Sequence, residues 1–321
     1  MRTITVKDLA RDAKEFLRFK RSMGITYQRG EHVLDSFLRF VVQRWGNGKI
    51  ELDDVVRQWC ARRAGCKAVT VANEFGVVRQ LCLYRRRYDP SGYVPEHALA
   101  PIKESIFQPY IFSHDEVRQV LALASRHHGH FIWAGMLRPF ILVLYCTGLR
   151  LGEAARLHTT DVNLDRGTLM IRCSKGRSRL VVIRSDLVAE LRSYVAQRQR
   201  LVRDLGRPDP EAFFLRRDAS GLTVRSASEA IRRLLRQLGL KPATGRAGVR
   251  PYEFRHAFAV HRLTAWANEG VDIHTKLPLL SAYLGHVNII GTEVYLKATP
   301  HLLELASTRF AQHSGGANQT P

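Results

Sequence analysis

Four short stretches of this 321-residue chain carry side chains suited to work on a phosphodiester. In Thr147-Gly-Leu-Arg-Leu-Gly-Glu153 an apolar run ends at a glycine able to turn the chain tightly, and Arg150 follows at the start of the next helix. A helix N-terminus already favours anions, and a guanidinium is permanently charged with a fork that matches a phosphate. Glu153, three residues on, shares a helical face with Arg150 and could hold it in place. Lys175 sits in Ser174-Lys-Gly-Arg-Ser-Arg179, a predicted hairpin turn, where an ammonium can donate a proton to a leaving alkoxide. In Pro251-Tyr-Glu-Phe-Arg-His256, Tyr252 and Arg255 fall on one helical face, and His256 is expected to point elsewhere as a supporting group. Finally, Leu284-Gly-His286 is followed nine residues later by Tyr295. A tyrosine hydroxyl, with an ordinary pKa of ~10, needs cationic neighbours or a base to become a nucleophile. Taken singly, these features also fit an ordinary Arg–Glu surface pair or a basic hairpin tip.

Together they fit one reaction. Two arginines, a lysine and a histidine around one phosphodiester would neutralise its charge in the transition state, a task otherwise done by metals. No clustered carboxylates stand out to hold Mg²⁺, and His127, His128 and His130 lack supporting cysteines or carboxylates and read as a solvated loop. No G-x-x-x-x-G-K-[ST] pattern occurs. The expectation is chemistry without metal, cofactor or ATP, in which Tyr295 forms a phosphotyrosyl ester that conserves the bond energy.

The order of these motifs resembles the catalytic domain of the tyrosine recombinases, the phage integrase and Xer-type family: T-G-L-R-x-x-E, a hairpin lysine, x-x-x-R-H, L-G-H, and a tyrosine nine residues beyond that histidine. The resemblance spans about residues 147–295. It implies that Arg150 and Arg255 clamp the scissile phosphate, Lys175 protonates the departing 5′ oxygen, His286 donates a hydrogen bond to the phosphate, and Tyr295 becomes the 3′-phosphotyrosine. One position departs from the family pattern: Tyr252 stands where the family usually has histidine, and a phenol is the poorer base near neutral pH. The implied function is a site-specific DNA recombinase of integrase or transposase type. Its implied partners are double-stranded DNA and either three further copies in a synaptic tetramer or related recombinases, in a bacterial cytoplasm at the nucleoid. A type IB-like topoisomerase and a catalytically silent DNA-binding accessory of the same fold are the alternatives.

Composition agrees with a nucleic-acid partner. Lys and Arg total 50 against 29 Asp and Glu, a net charge of +21 spread over both parts of the chain, and neutralising phosphates releases counterions. With 45% hydrophobic residues the chain can bury a sizeable core. The most apolar stretch, 131–149, is interrupted by Arg138 and Pro139 and is too short to span a bilayer. The N-terminus lacks the apolar core of a secretory leader. Five cysteines without a C-x-x-C pair argue against a disulfide framework or zinc site and for a reducing cytoplasm.

The elements that must position these residues follow from periodicity. Amphipathic stretches near 5–19, 28–45, 52–64 and 68–87 predict an N-terminal helical bundle, and Arg79, Arg85 and Arg86 on its last helix are expected to touch DNA. Its resemblance is to the family's SAM-like core-binding domain. Asp89-Pro-Ser-Gly-Tyr-Val-Pro95, Ala100-Pro101 and Gln108-Pro109 form a Pro-rich connector. Ser113 with Glu116 is expected to form a capping box that starts a helix through Val117, Val120, Leu121 and Leu123, a buried helix follows near 131–145, and three short antiparallel strands lie within 161–183, where Arg177 and Arg179 are further expected DNA contacts. Helices resume at about 185–205, 226–238 and 253–268. The expected fold is mainly α with a small antiparallel sheet. Its domains are residues 1–90, a linker at 91–111, an α+β catalytic domain at 112–314, and a disordered tail at 315–321.

Overall fold

The computed structural model describes residues 3–61, 66–100, 109–174, 177–245 and 247–297. The chain divides into two compact units, Met1–Phe107 and Gln108–Pro321.

The N-terminal unit runs β1 (Thr3–Thr5), α1 (Val6–Ser22), α2 (Gln28–Trp45), β2 (Lys49–Glu51), α3 (Leu52–Ala61) and α4 (Ala68–Arg85). Thr5 ends the strand and starts the helix, because its side chain accepts the Asp8 N–H at 3.1 Å. Leu9, Phe16, Phe37, Val41, Val55, Trp59, Phe75, Val78 and Leu81 recur at helical spacing and are all buried in one core. The purely helical expectation missed the antiparallel pair β1–β2, in which Ile4 faces Ile50. Three-residue strands are too short to show alternation, and the pairing closes across more than forty residues. Part of the Pro-rich stretch, expected to be a semi-rigid link from residue 91, packs on the N-terminal unit. Tyr93, Val94, Leu99 and Ala100 pack against this core, and His97–Leu99 form a 3₁₀ turn. Apolar side chains between the prolines keep that segment on the unit it leaves.

The C-terminal unit runs α5 (His114–Ser125), α6 (Ala134–Thr147), α7 (Leu151–Ala155), β3 (Val162–Asn163), β4 (Thr168–Ser174), β5 (Arg177–Val182), α8 (Ser185–Asp204), α9 (Val224–Gln237), α10 (Glu253–Asn268), α11 (Ile273–Leu284) and α12 (Ile290–Lys297). Ser113 and Glu116 form the expected capping box that starts α5. Helix α6 is apolar on nearly every side, with Met136, Leu137, Phe140, Ile141, Val143 and Leu144 buried, so it forms the centre of the core. Each such side chain stabilises by roughly 1.5–3 kcal/mol through burial. The sheet is antiparallel in the order β3-β4-β5, with Met170 opposite Leu180 and Ile171 opposite Arg179. A smaller cluster joins α10, α11 and α12 through Val260, Leu263, Leu277, Leu280, Leu284 and Tyr295. His127, expected in a solvated loop, is buried. Among the described residues no helix is long and apolar enough to cross a membrane.

Candidate active site

The site begins with two glycines that end helices. Gly148 closes α6 at φ +63°, and a Cβ there would lie 2.5 Å from the Phe258 ring and 2.7 Å from Leu284. Only glycine both adopts that backbone and leaves the space. The turn it makes sets Arg150 at the N-terminus of α7, where Glu153 accepts its backbone N–H at 3.0 Å and its Nη1 at 2.8 Å. Gly285 closes α11 at φ +69°, and its carbonyl accepts from Arg150 Nη2 at 3.3 Å.

Arg255, on the first turn of α10, reaches the same two helix ends. Nη1 donates to the Gly148 carbonyl at 2.7 Å and Nη2 to the Leu284 carbonyl at 2.8 Å. Those carbonyls belong to helix C-termini, where partial negative charge accumulates, so a buried cation is held without a carboxylate against it. The residue is 1% exposed, and burial draws its guanidinium below its ordinary pKa. His286 follows Gly285, and its Nδ1 shares a hydrogen bond with Thr292 Oγ1 at 2.7 Å. Tyr295, one turn beyond Thr292 on α12, is 2% exposed, with its ring stacked at 6.3 Å from that of His286. Burial raises the phenol's pKa, and Arg255 pulls it the other way. Arg150 and Tyr252 are the more open members, the second 39% exposed.

His256 lies within the site rather than pointing away. Its ring meets Tyr252 edge-on at 4.8 Å and Tyr295 at 5.3 Å. Four residues bring a helix back almost to the same face, so Tyr252 and His256 project together. Burial, with Arg250 and Arg255 nearby, pushes His256 down to about 4, so it is neutral at physiological pH. Glu253, also buried, accepts from Arg250 Nε at 2.8 Å and lies 3.6 Å from His256 Nε2.

Two of the arginines expected on DNA are turned inward. Arg179 gives its guanidinium to Glu153 and, through Nε, to the Tyr283 carbonyl at 2.8 Å. Arg85 pairs with Asp12 at 2.7 Å, its side chain 16% exposed. Arg79 Nε donates to the Pro95 carbonyl at 2.9 Å in a half-buried position, whereas Arg86 is exposed. Lys175, the side chain of Arg177 and the residues after Lys297, including the expected tail, lie outside the described residues. Thr292 carried no sequence signal, and neither did the inward turn of Arg179: on β5 it is in phase with the buried Val181, but Leu180 and Val182, which face solvent, are just as apolar.

With this geometry in place, similarity to known proteins is informative. The sequence profile of the phage integrase family matches residues 111–301. The chain is 30% identical over 306 residues to the putative integrase/recombinase y4rB of Sinorhizobium fredii, covering 92% of this chain and 95% of that protein. It is 30% identical over 214 residues to tyrosine recombinase XerA of Thermococcus kodakarensis, covering 66% of each. Among solved structures, the XerH recombinase bound to palindromic difH in a post-cleavage complex aligns with a TM-score of 0.66 at 18% identity, covering 86% of this chain and 77% of that one. The Tn1549 transposon integrase with transposon right-end DNA aligns with a TM-score of 0.66 at 16% identity, covering 96% and 100%. These two structural matches speak for the fold.

Proposed function

The chain belongs to the phage integrase family and is a tyrosine-type DNA recombinase, and from that premise we propose that Tyr295 cuts and rejoins DNA at specific sites through a covalent 3′-phosphotyrosine. One observation carries the residue assignment. Arg150 and Arg255, 105 positions apart, both donate to the carbonyls immediately before His286, and the Tyr295 ring stacks against His286. Arg150, Arg255, His286 and Tyr295 therefore meet at one helix end.

In the proposed reaction the two guanidiniums and His286 bind the non-bridging oxygens of the scissile phosphate. They stabilise the extra negative charge of the pentacoordinate transition state. Tyr295 Oη forms the bond to phosphorus as the bond to O5′ breaks, and the phenol proton passes to water in that step. Lys175 gives its proton to the departing O5′. The reverse reaction, with a different 5′-hydroxyl as nucleophile, reseals the strand, so neither ATP nor a metal enters the balance. Tyr252 lies over the open side of the site, where it can hydrogen-bond the phosphate but is a weak base. In this reading the enzyme acts on double-stranded DNA in the bacterial cytoplasm, at the nucleoid, either as a tetramer of identical chains or in a complex with related recombinases.

The test is a covalent-adduct assay in EDTA on DNA from the flanks of the gene's own mobile element or genomic neighbourhood. The parent protein is expected to give a slowly migrating, protease-sensitive DNA species, and Tyr295→Phe is expected to bind the same DNA without forming it. An adduct that persists in the Phe variant would remove Tyr295 as nucleophile. A parent that binds DNA but forms no adduct on nicked or intact sites would favour the silent accessory role.

A further inference from the structure

We infer that Arg179 is a positioning residue for strand cleavage, acting through Glu153 on the phosphate clamp Arg150. The inference rests on the reading of Arg150 given above. On β5, Arg179 lies on the face that carries Val181, which is fully buried, and its own side chain is only 13% exposed. A charged group on the inner face of a sheet costs several kcal/mol unless its donors are satisfied. Here they are satisfied by two parts of the site. Nη2 donates to Glu153 Oε2 at 2.9 Å and Nη1 to Oε1 at 3.3 Å, while Nε donates to the Tyr283 carbonyl at 2.8 Å.

Glu153 is thus gripped from both sides. Its Oε1 takes Arg150 Nη1 at 2.8 Å, its Oε2 takes the Arg150 backbone N–H, and the guanidinium of Arg179 spans both oxygens from the other side. A carboxylate has one degree of rotation about its last bond, and the fork of Arg179 fixes it. Because the carboxylate's plane sets where Arg150 lies, Arg179 sets it too. The second anchor ties this arrangement to the other half of the site. Tyr283 is in the last turn of α11, and the Arg179 guanidinium lies under Gly285, where a Cβ would come within 2.6 Å of Nη1. The glycine before His286 therefore does two jobs, ending the helix and making room for Arg179. Arg179 accordingly links the Arg150–Glu153 pair and the His286 turn.

A neutral scissile linkage separates this role from a general loss of structure. A methylphosphonate replaces one charged oxygen by a methyl group, so the charge that Arg150 neutralises is absent. Arg179→Ala, Arg179→Lys, Arg150→Ala and the parent are compared for single-turnover adduct formation on phosphodiester and methylphosphonate sites, with DNA affinity measured alongside. Displacement of a clamp by about an ångström costs roughly 100-fold in rate. Arg179→Ala is therefore expected to lose about that much on the phosphodiester, to bind DNA within about threefold of parent, and to match parent on the methylphosphonate within about threefold. Lysine cannot bridge the carboxylate and the carbonyl together, so Arg179→Lys is expected between the two. Equal slowing on both substrates, or parental rates on the phosphodiester, would overturn the proposal. If Arg150→Ala itself cleaves the phosphodiester at the parental rate, the premise falls. If Arg150→Ala is slow and Arg179→Ala is fast, only the role of Arg179 falls.

Discussion

Arg255 Nη1 donates to the carbonyl of Gly148 at 2.7 Å, joining two motifs that lie 107 residues apart in sequence. The bond runs from the first turn of α10 to the C-terminus of α6, the apolar helix at the centre of the core. With Nη2 on Leu284, it places one guanidinium across two helix ends at once. Arg255→Lys keeps the charge but can satisfy only one carbonyl from that depth. The expected result is loss of the adduct in a single-turnover assay and a fall of about 1–3 kcal/mol in unfolding free energy by denaturant titration, since a buried acceptor is left unpaired.

Glu153 is almost wholly buried, its side chain 3% exposed, between the guanidiniums of Arg150 and Arg179. Glu153→Ala leaves two partly buried cations facing each other. It is expected to destabilise the C-terminal unit by about 3–5 kcal/mol. Glu153→Gln, which keeps the shape and some of the hydrogen bonds, is expected to cost less in stability. It should still slow adduct formation by about tenfold or more, because Arg150 is then held by a neutral acceptor. Paired thermal melts and adduct kinetics check both statements.

Tyr252 and His256 share a face of α10 in edge contact, with Tyr252 the exposed partner. Removing the hydroxyl in Tyr252→Phe is expected to reduce cleavage by roughly 10- to 100-fold, the contribution typical of a positioned polar group. Tyr252→His is expected to retain cleavage and to give it a pH dependence near the imidazole range, read from the rate of adduct formation between pH 5.5 and 8.5. A Phe variant as fast as the parent would take Tyr252 out of the reaction.

At Gly148, φ +63° and the packed Phe258 ring leave no place for a side chain. Gly148→Ala is expected to cost about 1–3 kcal/mol for the backbone alone, with more from the collision. Because the same residue supplies the carbonyl that holds Arg255, cleavage should fall together with stability. Chemical denaturation and the adduct assay measure the two losses on one sample.

His256 gives the protein a predictable response to acid. Burial pushes its folded-state pKa to about 4, against an ordinary histidine value near ~6.5. Between those values the unfolded chain binds the proton that the folded chain refuses, so stability rises with pH across this window and is lost as pH falls through it. The depressed pKa amounts to a loss of at most ~3 kcal/mol on full acidification. Unfolding free energy measured from pH 7 to pH 4 should decline more steeply in the parent than in His256→Gln. Equal slopes would assign the acid response to other groups, of which His261, also pushed to about 4, is the first to examine.

Much of this protein is legible from local signals. The turn glycine at 148, the Ser113 cap, the apolar period of the main helices and the short motifs that carry Arg150, Arg255, His286 and Tyr295 each depend on a few consecutive residues. Backbone sterics and helical repeat act over that range, so the sequence alone specifies the longer helices up to α10 and the three-stranded sheet, whereas α11, α12 and the place of His256 are not legible from it. What the tertiary structure decided is direction and partnership. Arg179 and Arg85 look like surface charge in a sequence this basic, yet one is placed against Glu153 and the other against Asp12. His256 enters the site because α12 brings Tyr295 onto its face of α10, and β1 finds β2 only when α1 and α2 fold back between them. These contacts join residues that are 26 to 73 positions apart. A hydrogen-bond partner at that separation is selected by packing of the whole unit, which no local pattern of residue types encodes.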